Sequence, residues 1–372
     1  MKKCVRVMIF FVCAFLTGGL FAAGKAESRE AVIGVIGPMT GPGAQSGNTL
    51  RDATALAVDE LNARLSGITL KMVVVDDEGN PTRAISGNTR LVYNENALAV
   101  IGAVQSSCTL ANMEITQEAG VAQITSMSTS PAITQRGNKW IFRTAATDAV
   151  QAENIVRIAV EKLGKKRPAV LYVSNDYGQD GYKVVLDVST KLGCPPVVAE
   201  TFNQGDLDYS SQLMKVKEAA PDVLIIWSMY EEAALIAKQA AAAGMQVQIM
   251  GSGGLTNNKY VELGGPATEG TIMCQTYHPS STEPRVAEFT RRFKEKFNRE
   301  PDPNAAQTYD AVMLLGAAIE KAGADRAGVR DALAGTKDYP GVTGIISFDS
   351  TGDSPRDMLV IQIRGGEYVL FE

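Results

Sequence analysis

The chain has 372 residues, is 45% apolar and 21% charged, and carries a formal net charge of −5. It can therefore bury sizeable cores, and no basic cluster marks it for nucleic acid or an anionic membrane surface. A single histidine, His278, removes most routes to general-base catalysis and to histidine-rich metal sites.

The first segment reads as an export signal. Lys2, Lys3 and Arg6 precede an uncharged apolar run over residues 7–20, and small residues follow at Ala22, Ala23, Gly24 and Ala26. This is the layout of a secretory signal peptide, residues 1–26, cleaved after Gly24 or Ala26. A periplasmic location follows; the alternative is an uncleaved anchor, for which about 20 apolar residues are usual. Cys13 has no small residues before it, which argues against a lipid-anchored start. Of five cysteines, Cys108, Cys194 and Cys274 lie beyond this segment. An odd, widely spaced set defines no disulfide framework and no metal motif. Three buried thiols, or one bridged pair, are the readings. The remaining chain suits two domains of about 150 residues.

Strands and helices then alternate. Residues 31–36 read as a buried strand ending in Gly37-Pro38, and 49–64 as a helix with Leu50, Ala53, Ala57, Val58 and Leu61 on one side. Residues 70–75 form a strand running into Asp76-Asp77-Glu78-Gly79-Asn80-Pro81, and 82–93 a helix. Residues 97–101 and 121–124 are strands flanking a helix at 110–119. Short apolar strands between helices predict a parallel doubly wound sheet.

Two polar turns follow adjacent strands in this region: Gln105-Ser106-Ser107-Cys108-Thr109 and Ser126-Met127-Ser128-Thr129-Ser130-Pro131. Parallel strands put both at the edge where open α/β sheets bind ligands. Hydroxyls and free N–H groups at a helix N-terminus hold an anion such as a carboxylate. The plain alternative is that these residues only cap helices; two such turns side by side favour a site.

A second series begins after Phe142-Arg143-Thr144. Helices are expected at 151–163, 181–192, 210–218 and 231–243, the last stopped by Gly244. Strands are expected at 169–173, 197–202, 223–227 and 247–250. The repeated pattern predicts two similar lobes. In the last third, strands fall at 271–275 and 345–348, helices at 285–297 and 307–322, and a hairpin spans 358–371 around Gly365-Gly366. The first lobe needs more cover than its own segment supplies, so part of this third returns to it. His278, before Pro279, reads as a solvated loop residue.

The sequence resembles the periplasmic branched-chain amino-acid binding proteins, the extracellular receptors of ABC importers. The resemblance runs from about Ala31 onward. It is carried by Gly37-Pro38-Met39-Thr40-Gly41-Pro42 with Gly47, by Asp76-Asp77, and by Ile101-Gly102 with Ser106, Ser107 and Thr109. Further carriers are Ser128-Thr129-Ser130-Pro131 leading to Phe142-Arg143-Thr144, then Asp176-Tyr177-Gly178, Lys238-Gln239-Ala240, Gly264-Gly265-Pro266-Ala267 and Tyr309-Asp310-Ala311. Order and spacing, and no single motif, make the match.

The resemblance implies two Rossmann-like α/β lobes with parallel doubly wound sheets, joined by three crossover segments, with the ligand cleft between them. Lobe 1 is expected at 27–147 plus 276–348, lobe 2 at 148–275 plus 349–372. Ligand closes the lobes by a hinge motion, and the closed form docks on a membrane permease. The implied ligand-binding residues are Ser106, Ser107, Met127 through its backbone, Thr129, Tyr177, Met229, Tyr230 and Gly253. No cofactor, metal or nucleic acid is implied, and a monomer is expected. Two departures stand out. Where amino-acid binders of this family place an acid to pair with the ligand ammonium, the chain reads Gly251-Ser252-Gly253-Gly254. Either a neighbour such as Glu231 takes over or the ligand has no α-amino group. The aromatic wall position of the first loop is Ser46, and a disulfide of some relatives is replaced by Gly79 and Gln105.

Three functions compete: a transport receptor for a small carboxylate, a sensory receptor working with a separate signalling protein, and an exported serine hydrolase. No nucleophile elbow surrounds Ser106 or Ser107, and His278 is outside both hydroxyl turns, which disfavours the hydrolase.

Overall fold

The computed structural model describes residues 29–371; the signal-peptide reading of residues 1–26 lies outside them. In chain order the first half runs β1 (Arg29–Gly37), α1 (Ala44–Arg64), β2 (Ile68–Asp76), α2 (Pro81–Thr89), β3 (Ala99–Gly102), α3 (Ser106–Glu118), β4 (Ala122–Thr125), α4 (Ala132–Gln135) and β5 (Ile141–Arg143). These five strands form one parallel sheet in the order β2-β1-β3-β4-β5.

The chain then leaves for a second sheet. It continues as α5 (Asp148–Arg157), β6 (Pro168–Val173), α6 (Asp176–Lys191), β7 (Val198–Phe202), α7 (Ser210–Glu218), β8 (Val223–Trp227), α8 (Tyr230–Ala242), β9 (Gln248–Gly251), α9 (Asn258–Gly264) and β10 (Ile272–Gln275). It returns to pack α10 (Pro284–Phe297), α11 (Pro303–Ala322) and α12 (Arg326–Ala334), followed by the small hairpin β11 (Tyr339–Gly341) and β12 (Gly344–Ile346). It crosses a third time to end in β13 (Leu359–Arg364) and β14 (Glu367–Leu370). The second sheet has the order β14-β13-β10-β9-β8-β6-β7, with β13 and β14 antiparallel at one edge.

Each sheet buries its own core. The second is built on the wholly buried run Val223-Leu224-Ile225-Ile226-Trp227 of β8, with Ile155, Val185, Ile236 and Ile272 around it. The first joins Ile33, Val35, Leu50 and Leu61 to Ala311, Leu314, Leu315 and Phe348. Residues from the last third therefore complete the first lobe's core. α11 approaches α1 closely enough that a Cβ at Gly316 would sit 2.2 Å from Leu61 Cδ2, so only glycine permits this contact.

Differences from the sequence reading have local causes. α1 begins at Ala44, after Gly43 turns the chain at φ 81°, because its first turn is polar and carries no apolar period. α3 begins at Ser106, so the first hydroxyl turn is the helix's own first turn. α2 and α5 each end in a π-helical turn, residues 90–94 and 158–162. The expected strand at 345–348 is shorter and pairs only with β11. The short elements α4, α9, α12, β5 and β11 carry too few residues to show a period. His278 is buried: its Nδ1 is 2.7 Å from Ser280 Oγ and its Nε2 is 3.0 Å from the Tyr368 carbonyl oxygen. The three cysteines are free and buried.

Candidate functional site

The C-terminal ends of β3, β4, β6, β8, β9 and β10 converge on one cleft between the sheets, about 730 Å³ including its open mouth. On the lobe 1 side, α3 starts at the end of β3. Its N-cap Gln105 makes no side-chain capping bond, so no side chain of the cap offsets the partial positive charge at the start of the helix. Ser106 Oγ lies 3.3 Å from both Thr129 N and Ser130 N. Thr109 Oγ1 and Ser128 Oγ are 2.7 Å apart, and Ser128 Oγ donates to the carbonyls of Ala103 and Val104. These two hydroxyls stitch the turns together.

The second turn is held from behind by Arg143 of β5, which is fully buried. Its Nη1 donates to Ser130 O at 2.6 Å and its Nη2 to Thr134 Oγ1 at 2.9 Å. Its Nε and Nη2 reach the two carboxylate oxygens of Asp353 at 2.7 and 3.0 Å. Asp353 belongs to the third crossover, so this fork ties a connecting segment to the turn.

On the lobe 2 side, Tyr177 opens α6 below the N-cap Asn175. Its hydroxyl is 2.5 Å from Ser252 Oγ in the turn after β9. Gly253 N donates to Gln151 Oε1 at 2.6 Å, and Gly253 O accepts from Thr256 Oγ1 at 2.6 Å. Gln151 Nε2 in turn donates to Ala146 O. A Cβ at Gly254 would stand 2.3 Å from Ser228 O and 2.7 Å from the Tyr177 hydroxyl; the turn packs this tightly only as glycine.

Four buried polar atoms of the lining have no hydrogen-bond partner among the described residues: Ser46 Oγ, Gln105 Nε2, Thr129 Oγ1 and Thr276 Oγ1. Buried polar atoms are ordinarily paired; others elsewhere in the protein also lack partners, but these four lie together on one cavity, where a guest could bond them. Apart from these the lining is neutral: it contains no Asp, Glu, Lys, Arg or His. Asp148, packed against Thr129 and fully buried, has its pKa raised to about 7 chiefly by burial, with Thr129, Arg143 and Trp227 pulling the other way. Burial also drives the Tyr177 hydroxyl far above its ordinary value; it is a neutral donor and acceptor at any working pH.

Of the residues expected at the site, Ser106, Met127, Thr129, Tyr177, Met229 and Gly253 line the cavity. Ser107 and Tyr230 do not. Ser107 follows Ser106 by one helical step of about 100°. Tyr230 is turned into a contact between lobes: Gln45 N donates to its hydroxyl at 3.3 Å, beside Gly43 N donating to Glu231 Oε1 at 2.9 Å. Ser130 Oγ donating to Asp180 Oδ2 at 2.5 Å is a further bridge across the cleft. Glu231 is thus engaged with α1, and it is absent from the lining. Sequence reasoning missed Gln105, Gln151, Thr276, Asn304 and Gln307 as lining residues. Thr276 could have been found, since it is a hydroxyl residue at the C-terminal end of β10 in the second sheet, as the hydroxyl turns are at strand ends in the first.

Two lobes, three crossings and a polar cleft at the strand ends define the class. The chain belongs to the periplasmic binding protein family, whose pattern matches residues 30–367. That family consists of solute-binding receptors, not enzymes. Within it, the chain is similar to branched-chain amino-acid binding proteins. It is 31% identical over 358 residues to the leucine-, isoleucine-, valine-, threonine- and alanine-binding protein of Pseudomonas aeruginosa, covering 95% of this chain and 94% of that one. A leucine binding protein of Thermotoga maritima superposes with a TM-score of 0.87 at 31% identity, covering 92% of this chain and 98% of that one. The substrate binding protein of a branched-chain amino acid transporter from Streptococcus pneumoniae, solved with isoleucine, gives 0.84 at 28% identity, covering 91% and 98%.

Proposed function

We propose that this protein is the extracytoplasmic receptor of an ABC importer. It captures a small carboxylate-bearing solute in the cleft by hinge closure and delivers it, as a monomer, to a membrane permease. The observation that carries the reading is the set of unpaired hydroxyl and amide groups facing one cavity beside the N-terminus of α3. Ser106, Thr129 and the backbone at Met127 hold the carboxylate, with Tyr177 and Met229 closing from the other lobe. Its relatives' names, which refer to branched-chain amino acids and to transport, support a compact ligand with an apolar body. The export signal read at residues 1–26 supports the periplasmic location. No helix among the described residues is long and apolar enough to cross a membrane.

The test is small-angle scattering on mature protein stripped of solute by unfolding and refolding. A panel of amino acids and amine-free organic acids is added at saturating concentration. At least one acid should contract the radius of gyration. A radius unmoved by every acid in the panel overturns the receptor reading.

A further inference from the structure

We propose that the cleft takes a carboxylate lacking an α-ammonium group, such as a branched aliphatic, aromatic or 2-oxo acid, in preference to an amino acid. This rests on the carboxylate-site reading given above. The other end of the ligand head group decides the preference. An ammonium buried without an opposite charge is costly, because neutral hydrogen bonds replace its hydration only in part. No acid lines this cavity.

The acids adjoining the lining all stand outside it, although Glu231 Oε2, Glu232 Oε2 and both Asp148 oxygens have no hydrogen-bond partner. Glu231 accepts from Gly43 N across the lobe contact. Glu232 accepts from Gly205 N, and Asp180 is bonded by Ser130 and Lys183. Asp148 is sealed beneath Thr129 and does not reach the cavity surface. The lobe 2 turn offers no replacement: Ser252 Oγ is shared between the Tyr177 hydroxyl and Gly254 N, and both backbone groups of Gly253 are already bonded. From lobe 1, Gln105 presents an unpaired Nε2, a donor. A donor suits a keto or carboxylate oxygen and repels an ammonium. Val104, Ala145, Ala146, Met229 and Met358 supply the apolar remainder, and the methionines adapt to varied hydrocarbon shapes.

The experiment is calorimetric titration of the refolded mature protein with matched pairs: leucine against 4-methyl-2-oxopentanoate, and phenylalanine against 3-phenylpropanoate. The amine-free member of at least one pair should bind about 10-fold more tightly or better, equivalent to about 1.4 kcal/mol. Both leucine and phenylalanine binding as tightly as their partners overturns the inference and leaves the receptor reading intact. Heat-silent titrations with all four acids, confirmed by unmoved melting temperatures, overturn the inference, and a scattering panel in which no acid contracts the protein overturns the receptor reading as well. Gly253→Asp supplies a second arm. The atoms nearest its Cβ would be those of the Gln151 side chain, at 3.1 Å and beyond, and the folded variant should shift its preference toward leucine by about 10-fold. A folded variant with an unaltered preference counts against the assignment.

Discussion

The two walls of the cleft are built from the same strand-turn-helix unit and finished differently. On the lobe 2 wall the turn groups bond one another: Tyr177 with Ser252, Gly253 with Gln151 and Thr256. On the lobe 1 wall Ser46, Gln105 and Thr129 each keep a buried polar atom unpaired. A wall with unmet hydrogen bonds gains most from a ligand; a wall already satisfied contributes shape and exclusion of water. We infer that a solute binds first to lobe 1 and that lobe 2 closes over it.

The largest effect should come from what holds the lobe 1 wall in place. Arg143→Leu leaves the Asp353 carboxylate and the Ser130 carbonyl without their partner in a buried setting. Breaking such a pair costs about 3–5 kcal/mol. Urea denaturation should show a loss of about 3 kcal/mol, with ligand affinity falling as the turn loosens. A loss below about 1 kcal/mol would mean that the fork is not what fixes the turn.

Next come the wall's own groups. Ser106→Ala and Thr129→Ala each remove a hydrogen bond to a charged ligand group, worth about 1.5–3 kcal/mol, or about 10- to 100-fold in affinity. Calorimetry with whichever acid binds the wild type measures this; the melting temperature without ligand should barely move for Thr129→Ala, whose Oγ1 has no partner, and should fall for Ser106→Ala, which leaves the Thr129 and Ser130 N–H groups without their acceptor. Unchanged affinity in both variants removes these residues from the site.

A smaller effect separates Asp148 from the ligand contacts. Its pKa is raised from 3.8 to about 7 by burial, so the folded chain holds the proton more tightly than the unfolded one. Its contribution is fully present below about pH 4 and is lost as pH rises toward 7. Asp148→Asn cannot ionise. Between pH 5 and pH 8 its stability relative to wild type should therefore rise by about 1 kcal/mol or more in paired urea melts. A constant difference across that range would show that Asp148 is already charged in the folded protein.

These contrasts also explain what was readable beforehand. The hydroxyl turns were legible because strand, turn and helix are local: Ser106 and Thr129 follow strands marked by continuous apolar runs. Two sheets were legible because the strand-helix alternation restarts after Arg143. Gln151, Asn304 and Gln307 were not, because crossovers bring α5 and the start of α11 to the cleft and sequence distance carries no sign of it. His278 was misread because its partner, the Tyr368 carbonyl, lies 90 residues away on the terminal hairpin. Tyr230 is expected on the wall with Met229, but Met229 is the extended N-cap and Tyr230 the first helical residue of α8, so the chain rotates between them and only Met229 lines the cavity.

That rotation yields the smallest prediction and the one that bears most directly on how the walls differ. Tyr230 and Glu231 present their oxygens to Gln45 N and Gly43 N, where α1 begins. α1 has no side-chain cap and no acid in its first turn. The carboxylate of the opposite lobe therefore supplies what the helix lacks, and it can do so only when the lobes meet. An anion at a helix N-terminus is worth about 0.3–1 kcal/mol. Glu231→Gln keeps an acceptor oxygen but loses the charge, so the closed arrangement should weaken by that amount. Scattering without ligand should show a larger mean radius, and ligand affinity should fall by about 2- to 5-fold. The loss should shrink at high salt, since screening weakens the wild-type contact as well. A variant with wild-type radius and affinity would mean that the two lobes are held together by the ligand alone.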